Sequence, residues 1–143
     1  MDKTYSELER YLKGHIREIY KGFNSANNEV YFDEMYNCTE KIANHMNLQD
    51  HDKFILLIAA AFCNIGIIVS SYNIACYSEK ILDSDINIKK YYNSLDIMVI
   101  RQIISETELI KYISNEYTKI IIDSNYICDI DRNKWIDRAI KHN

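Results

Sequence analysis

The chain has 143 residues, which is the size of one domain and long enough to bury a hydrophobic core. Hydrophobic residues make up 48% of it and charged residues 27%, a balance typical of a folded globular protein rather than a disordered one. The formal net charge of -4 argues against broad nucleic-acid binding, because proteins that bind phosphate backbones carry a basic surface.

The spacing of the cysteines restricts the cellular compartment, and the scarcity of glycine and proline restricts the fold class. Four cysteines lie far apart with no C-x-x-C pair, so we expect buried free thiols in a reducing cytoplasm, without a zinc site or a disulfide scaffold. Proline is absent and only three glycines occur, too few turn formers for a β-sandwich or barrel. We therefore predict that residues 1–143 form a single all-α domain, a bundle of about six or seven helices. The abundance of Ile, Asn, Lys and Tyr indicates an AT-rich coding source, such as a large virus or an AT-rich microbe.

Apolar residues at three- and four-residue steps place the first helices. They predict one helix over Tyr5–Phe23 and a second over Phe32–Met46. A third, almost wholly apolar helix over Phe54–Phe62 follows, with Asp50 or Asp52 as its N-cap. The N-terminus is polar, and we expect no signal peptide there.

The apolar run from Phe54 to Ser71 is long enough to be compared with a membrane span. It is interrupted by Cys63, Asn64 and Gly66 and is barely of the required length, so we interpret it as a buried core helix and expect no membrane partner. Gly66 is predicted to provide a left-handed turn where that helix ends.

The second half of the chain is also predicted to be helical. Helices are expected over Ile74–Leu82, Ser94–Glu106 and Asp131–Lys141, with a polar connector over Asp83–Lys89. Dense isoleucines over Glu108–Ile122 keep a strand open as an alternative, but the neighbouring helices favour a helix. The predicted apolar side of the Ser94–Glu106 helix comprises Leu95, Met98, Val99, Gln102 and Ile103.

Four stretches match, in order, the motifs of one enzyme family. Leu56–Gly66 resembles L-L-x-A-A-x-F-H-D-x-G, and Tyr31–Tyr36 resembles Y-H-N-x-x-H. Tyr72–Leu82 is similar to N-E-x-x-S-x-x-I-L, and Ile122–Cys128 to D-x-D-L-S-I-L. The chain thus resembles the HD-domain superfamily, and within it the predicted metal-dependent phosphohydrolases, from about residue 20 to the C-terminus.

This resemblance implies a helical bundle in which a histidine, a His-Asp pair and a later aspartate bind a divalent cation. The metal lowers the pKa of bound water and so supplies a nucleophile for a phosphoester. The four ligand positions correspond here to Tyr36, Cys63, Asn64 and Asn125. Phenol, thiol and amide groups are a poor ligand set for such a cation, so we expect no metal, no cofactor and no catalysis. One possibility is that the four residues form a binding pocket. The other is that Tyr36, Asn64 and Asn125 form hydrogen bonds with one another.

A literal His51-Asp52 dipeptide precedes the apolar helix instead of following it. We interpret it as part of a solvated loop in which Asp52 caps the helix, not as a metal ligand. A rearranged ligand set that uses Asp33, Asp123 or Asp129 remains an alternative.

Three functions follow from these patterns. The leading one is an inactive HD-type domain that binds a small phosphorylated molecule or a protein. The alternatives are an active phosphohydrolase with the rearranged ligands, and a viral helical protein that binds a host signalling partner in the host cytoplasm. We expect that its isoleucine-rich surfaces can also support a homodimer.

Overall fold

Helices make up all the regular structure of residues 3–22, 28–108 and 117–124, the parts of the chain that this computed structural model describes. This confirms the predicted all-α bundle of six or seven helices. Residues 117–124 form the last described helix. The preceding elements are α1 (Lys3–Tyr11), a π-helical segment (Leu12–Ile16), α2 (Arg17–Lys21), α3 (Asn28–His45), α4 (Asp50–Phe62), a 3₁₀ turn (Ile65–Ile68), α5 (Ile74–Asp83), α6 (Ile86–Lys89) and α7 (Ser94–Glu108).

Helix α4 is the centre of the bundle, with α3 and α7 packed against it. Every residue from Phe54 to Phe62 is buried, because this run has no polar side chain that would need water. The predicted cap is wrong: the N-cap is Gln49, in an extended conformation and without a side-chain cap. Asp50 and Asp52 instead lie in the first turn, where their charges complement the positive end of the helix dipole.

The stretch Asp50–Ile68 is long and apolar enough, by length and composition, to cross a membrane, with a mean hydropathy of 1.6. Yet 67% of that window is buried inside the protein. A core helix passes the same test, and this burial fits the core helix predicted from the sequence.

The N-terminal helix carries one apolar stripe, as predicted. Leu8, Leu12, Ile16 and Tyr20 are all buried. The backbone remains in the right-handed helical region from α1 through the π-helical segment into α2, so one face continues across the three elements.

Gly66 does not make the predicted left-handed turn, since no glycine among the described residues has a positive φ. Its role is close packing: a Cβ there would lie 2.1 Å from the carbonyl oxygen of Ile74 and 2.7 Å from the backbone nitrogen of Ser78. Positive φ values occur instead at Asn47 (57°) and Asn73 (56°), and asparagine tolerates this region better than most residues.

Helix α7 buries a face that only partly coincides with the predicted one: Ile103 is buried as expected, and Val99 is partly buried against the core. Leu95 is 70% exposed and Met98 is 62% exposed, so the apolar side expected there is wrong for both. The core-facing residues of α7 include Ile97, Ile100, Ile103 and Ile104. Both sets of residues satisfy helical spacing, and packing against α4 and α5 selects between them.

The predicted polar connector between α5 and α7 contains the short helix α6. The Asp85 side chain caps it by accepting from the backbone nitrogens of Asn87 (2.8 Å) and Ile88 (3.1 Å). Tyr11 of α1 donates to the same carboxylate at 2.6 Å. Burial and this carboxylate raise the pKa of Tyr11 to about 12. The contact ties the N-terminal helix to α6.

Three cysteines are free thiols, as predicted, but only Cys63 is buried; Cys38 is half-buried and Cys76 is exposed. Cys128 and the helix predicted over Asp131–Lys141 lie outside the described residues.

Candidate functional site

Tyr36 lies on α3 with its side chain fully buried. Its ring stacks on that of Phe32, with centroids 5.8 Å apart. Its hydroxyl has no hydrogen-bond partner among the described residues, although a buried hydroxyl normally has one. Burial, followed by the nearby carboxylates of Glu9 and Glu40, raises the pKa of Tyr36 far above that of an ordinary phenol.

Tyr36 lines a cleft of about 410 Å³, which we call the Tyr36 cleft. The ammonium of Lys13 lies 5.2 Å from the centroid of the Tyr36 ring, a cation–π distance. The cleft lies between α3 on one side and the π-helical segment and α2 on the other. It is lined by Lys13, Arg17, Phe32, Asp33, Tyr36 and Asn37.

Arg17 and Asp33 form a bidentate ion pair within this cleft. The Nε and Nη2 groups of Arg17 donate to the two carboxylate oxygens at 2.8 and 2.9 Å. A second carboxylate, that of Glu29, lies 3.5 Å from Nη1. The hydrogen bonds with Asp33 raise the pKa of Arg17. Asp33 is therefore engaged in an ion pair and is not a free candidate for a rearranged metal-ligand set.

Cys63 and Asn64, which the sequence resemblance aligns with a His-Asp pair, lie at the C-terminal end of α4. Cys63 is buried, and its thiol donates to the carbonyl oxygen of Ala60 at 3.5 Å. Asn64 is partly buried and precedes the 3₁₀ turn. Nearby, the hydroxyl of Tyr20 donates to the carbonyl oxygen of Ala61 at 2.7 Å. The pKa of Tyr20 is raised well above its usual value, first by burial and then by Cys63.

Ser78 of α5 closes this end of α4. Its hydroxyl donates to the carbonyl oxygen of Cys63 at 3.1 Å and accepts from the backbone nitrogen of Gly66 at 2.8 Å. Ser78 is fully buried, and both of its hydrogen bonds are internal. We call Cys63, Gly66 and Ser78 the α4–α5 corner.

The structure brings only part of the predicted pocket together. Cys63 and Asn64 are adjacent, but neither lines the Tyr36 cleft. The predicted hydrogen bond between Tyr36 and Asn64 is absent, since the Tyr36 hydroxyl has no partner among the described residues. Asn125 lies outside the described residues.

These side chains do not fit a divalent cation. Burial raises the pKa of the Tyr36 phenol and so disfavours the phenolate that a cation would need, and the thiol of Cys63 beside the amide of Asn64 is no recognised ligand set. Within residues 3–22, 28–108 and 117–124, no group of three or more His, Cys, Asp or Glu side chains is arranged to hold a metal ion. Asp123 is exposed, and Asp129 lies outside these ranges.

His51 and Asp52 belong to the first turn of α4, so the loop expected for them is wrong. The two ring nitrogens of His51 lie 2.9 Å from a carboxylate oxygen of Asp52 and 3.2 Å from one of Asp96 on α7. Hydrogen bonding to Asp52 raises the pKa of His51, and Asp96 adds to this effect. Sequence reasoning missed the cluster because nothing local to the dipeptide indicates the distant Asp96.

A second, more apolar groove of about 710 Å³ lies along α7 beside α5. The exposed side chains of Leu95 and Met98 contribute to it. Arg101 also lines it, 3.6 Å from Glu79 and 3.7 Å from Asp83, with no hydrogen-bond partner for its Nε group among the described residues. We call this surface the α5–α7 groove.

No family model matches the chain, and no curated protein or solved structure matches it either. The relationship to HD-type hydrolases therefore remains a prediction from the ordered motifs.

Proposed function

We propose that the protein is an HD-like helical domain, over residues 1–143, that has lost metal catalysis and binds a small phosphorylated ligand in the Tyr36 cleft. The observation that carries this proposal is the buried Tyr36, whose hydroxyl has no partner among the described residues and whose ring lines a cleft beside two cationic side chains. A buried hydroxyl without a partner costs about 1–3 kcal/mol, and a bound acceptor would remove that cost.

Several donors in the cleft suit phosphate oxygens. Lys13 can donate from its ammonium and Asn37 from its amide, and we propose that a ligand in the cleft also takes the unused donor of the buried Tyr36 hydroxyl. The charge of Arg17 is balanced by its ion pair with Asp33. Lys13 lies farther from a carboxylate, 3.9 Å from Glu9, so its ammonium is the main attraction for an anion. The cleft volume of about 410 Å³ falls in the range typical of small-ligand sites.

We infer the loss of catalysis from the side chains that occupy the four ligand positions implied by the resemblance. A hydrolase of this type needs imidazole and carboxylate groups that hold a cation and activate water. These positions instead hold a phenol with a raised pKa (Tyr36), a single thiol (Cys63) and a neutral amide (Asn64). A reducing cytoplasm is part of this proposal, and the free thiols of Cys38, Cys63 and Cys76 support it.

Calorimetric titration of the full chain with inorganic phosphate and with a nucleoside monophosphate tests the proposal. Tyr36→Phe and Lys13→Gln should each weaken binding about tenfold, equivalent to about 1.4 kcal/mol for one lost charged or polar contact. Lys41→Gln, an exposed change on the same helix as Tyr36, is the control and should bind as the wild type does. Absence of binding, or wild-type binding by Tyr36→Phe, would contradict the proposal.

A separate assay addresses the active-hydrolase alternative. Phosphomonoesters and nucleotides are incubated with the full chain and Mn²⁺, and the metal content of the purified protein is measured. Turnover, or a stoichiometric metal whose binding is lost in Cys63→Ala, would replace the proposed function with catalysis.

The α5–α7 groove supports a second candidate, binding of an amphipathic helix from a partner protein, including the host partner of a viral protein. Leu95 and Met98 can accept the apolar face of such a helix, and the partly exposed guanidinium of Arg101, already paired with Glu79 and Asp83, can add a polar contact at the edge. A panel of amphipathic helical peptides, titrated against wild type and Met98→Glu, tests it. Binding lost in Met98→Glu supports this candidate. Sedimentation of the same samples shows whether a second copy of the chain occupies the groove instead.

A further inference from the structure

The N-terminal end of α4 carries a cluster of charged and aromatic groups around His51 that the proposed function does not use. We propose that His51 is a protonation-dependent clasp that holds the first turn of α7 against α4 at low pH and loosens it as the pH rises. We call this cluster the His51 clasp; it comprises His51, Asp52, Tyr92, Asp96 and Tyr117.

The contacts of the clasp join four segments: α4, the segment before α7, α7 and the helix of residues 117–124. Nδ1 of His51 lies 2.9 Å from Asp52 on the same helix, and Nε2 lies 3.2 Å from Asp96 on α7. The hydroxyl of Tyr92 donates to the backbone oxygen of His51 at 2.8 Å, and the two rings are 5.3 Å apart. The hydroxyl of Tyr117 donates to Asp52 at 3.1 Å and so brings the helix of residues 117–124 into the network.

Both ring nitrogens of His51 face a carboxylate, and this arrangement makes the clasp depend on protonation. The imidazolium has two N–H donors and can satisfy Asp52 and Asp96 together. Neutral imidazole has one, so one carboxylate must then face a nitrogen lone pair. Because Asp52 is a neighbour in the same turn, the contact with Asp96 of α7 is the one that can separate.

The groups around His51 are acidic or phenolic. Asp50 and Asp52 come from α4, Asp96 from α7 and Tyr92 from the segment before α7. Tyr5 of α1 also lies near Tyr92, and Tyr117 reaches Asp52. The positive end of the α4 dipole opposes a cation at this position, so the carboxylates must outweigh it.

The direction of the pH effect follows from the raised pKa of His51. The favourable pairing is complete below the usual histidine pKa of 6.5 and is lost as the pH rises through the higher pKa of the folded state. The bond from Tyr92 does not depend on the protonation of the ring and remains. Loosening is therefore confined to the first turn of α7, which also carries the exposed Leu95.

Proton NMR of the full chain tests the clasp by titration of the imidazole signals and by amide hydrogen exchange of α7. The pKa of His51 should exceed 6.5, and protection of the first turn of α7 should fall about two- to fivefold between about pH 5.5 and about pH 8.5, after correction for intrinsic exchange. The exposed change Asp123→Asn is the control and should behave as the wild type does.

Two variants separate the clasp from a general loss of structure. Asp96→Asn should lower the pKa of His51 and remove the pH dependence of protection. Tyr92→Phe should reduce protection by a similar factor at both pH values and keep the pH dependence, because the bond it removes does not titrate. An unchanged His51 pKa in Asp96→Asn, or protection that does not vary with pH in the wild type, would overturn the proposal.

Discussion

The two ends of α4 are stabilised by different physical means. At the C-terminal end, the α4–α5 corner is buried, uncharged and closed by the two hydrogen bonds of Ser78. At the N-terminal end, the His51 clasp is half-exposed and relies on charges that water screens. The end that the family resemblance assigns to metal chemistry is thus a packed structural corner. The titratable groups lie at the opposite end.

This difference has consequences for tolerance to change. Packing in a buried corner acts at all pH values and leaves no room for added atoms. Exposed ion pairs contribute little individually but respond to pH and salt. Three substitutions test whether the two ends differ in this way.

The largest effect is expected from Gly66→Ala in the α4–α5 corner. The added Cβ would lie 2.1 Å from the carbonyl oxygen of Ile74, and backbone cannot move aside as a flexible side chain can. We expect a loss of at least about 3 kcal/mol in the free energy of unfolding, measured by urea denaturation. Gly14→Ala is the matched control, since a Cβ there meets nothing within 4 Å. Equal stability of the two variants would show that the corner is not tightly packed.

Ser78→Ala comes next and tests the hydrogen bonds of the same corner. It leaves the backbone nitrogen of Gly66 and the carbonyl oxygen of Cys63 without their partner. The expected loss is about 1–3 kcal/mol in urea denaturation, the same at about pH 5.5 and about pH 8.5. Ser84→Ala removes an exposed hydroxyl bonded to Lys80 and should cost less than about 0.5 kcal/mol. A loss in Ser78→Ala that varied with pH would contradict the claim that only the N-terminal end of α4 responds to pH.

The smallest effect is expected from His51→Gln at the other end. Because the pKa of His51 is raised on folding, its contribution is present at about pH 5.5 and lost by about pH 8.5. Solvent screening limits the difference between wild type and variant to under about 1 kcal/mol at the lower pH. Lys41→Gln, an exposed change on α3, is the control and should have the same effect at both pH values. A loss in His51→Gln that is as large at high pH would mean that His51 acts through packing.

The fold class could be predicted from the sequence because a helix is indicated by the pattern of residues close together along the chain. A run such as Phe54–Phe62, without a polar residue, can only be a buried element, and helical spacing located most of the other helices. The face of each helix that packs into the core could not be predicted in the same way, because it depends on residues distant in the chain. Two faces of α7 have apolar residues at helical spacing, and only packing against α4 and α5 selects the one with Ile100 and Ile104.

The candidate site was predicted only in part for the same reason. Tyr36 was identified by its place in a motif, but the cations beside it come from another helix. Gly66 was expected to provide a turn, whereas it provides space for the backbone of α5, which no local pattern indicates. His51 was assigned to a loop because Asp96, its partner, is remote in the chain.

The π-helical segment of the N-terminal helix affects the angular position of the buried side chains around the helix axis. Residues repeated every four positions, as Leu8, Leu12, Ile16 and Tyr20 are, drift by about 40° per step around a regular α-helix. A wider turn over Leu12–Ile16 offsets part of this drift, so all four side chains stay on the core side. The segment acts as a one-residue register correction, and it lies where the chain presents Lys13 to the ring of Tyr36. The hydrophobic spacing of the first helix and the polar wall of the cleft are thus set by the same local widening of the backbone.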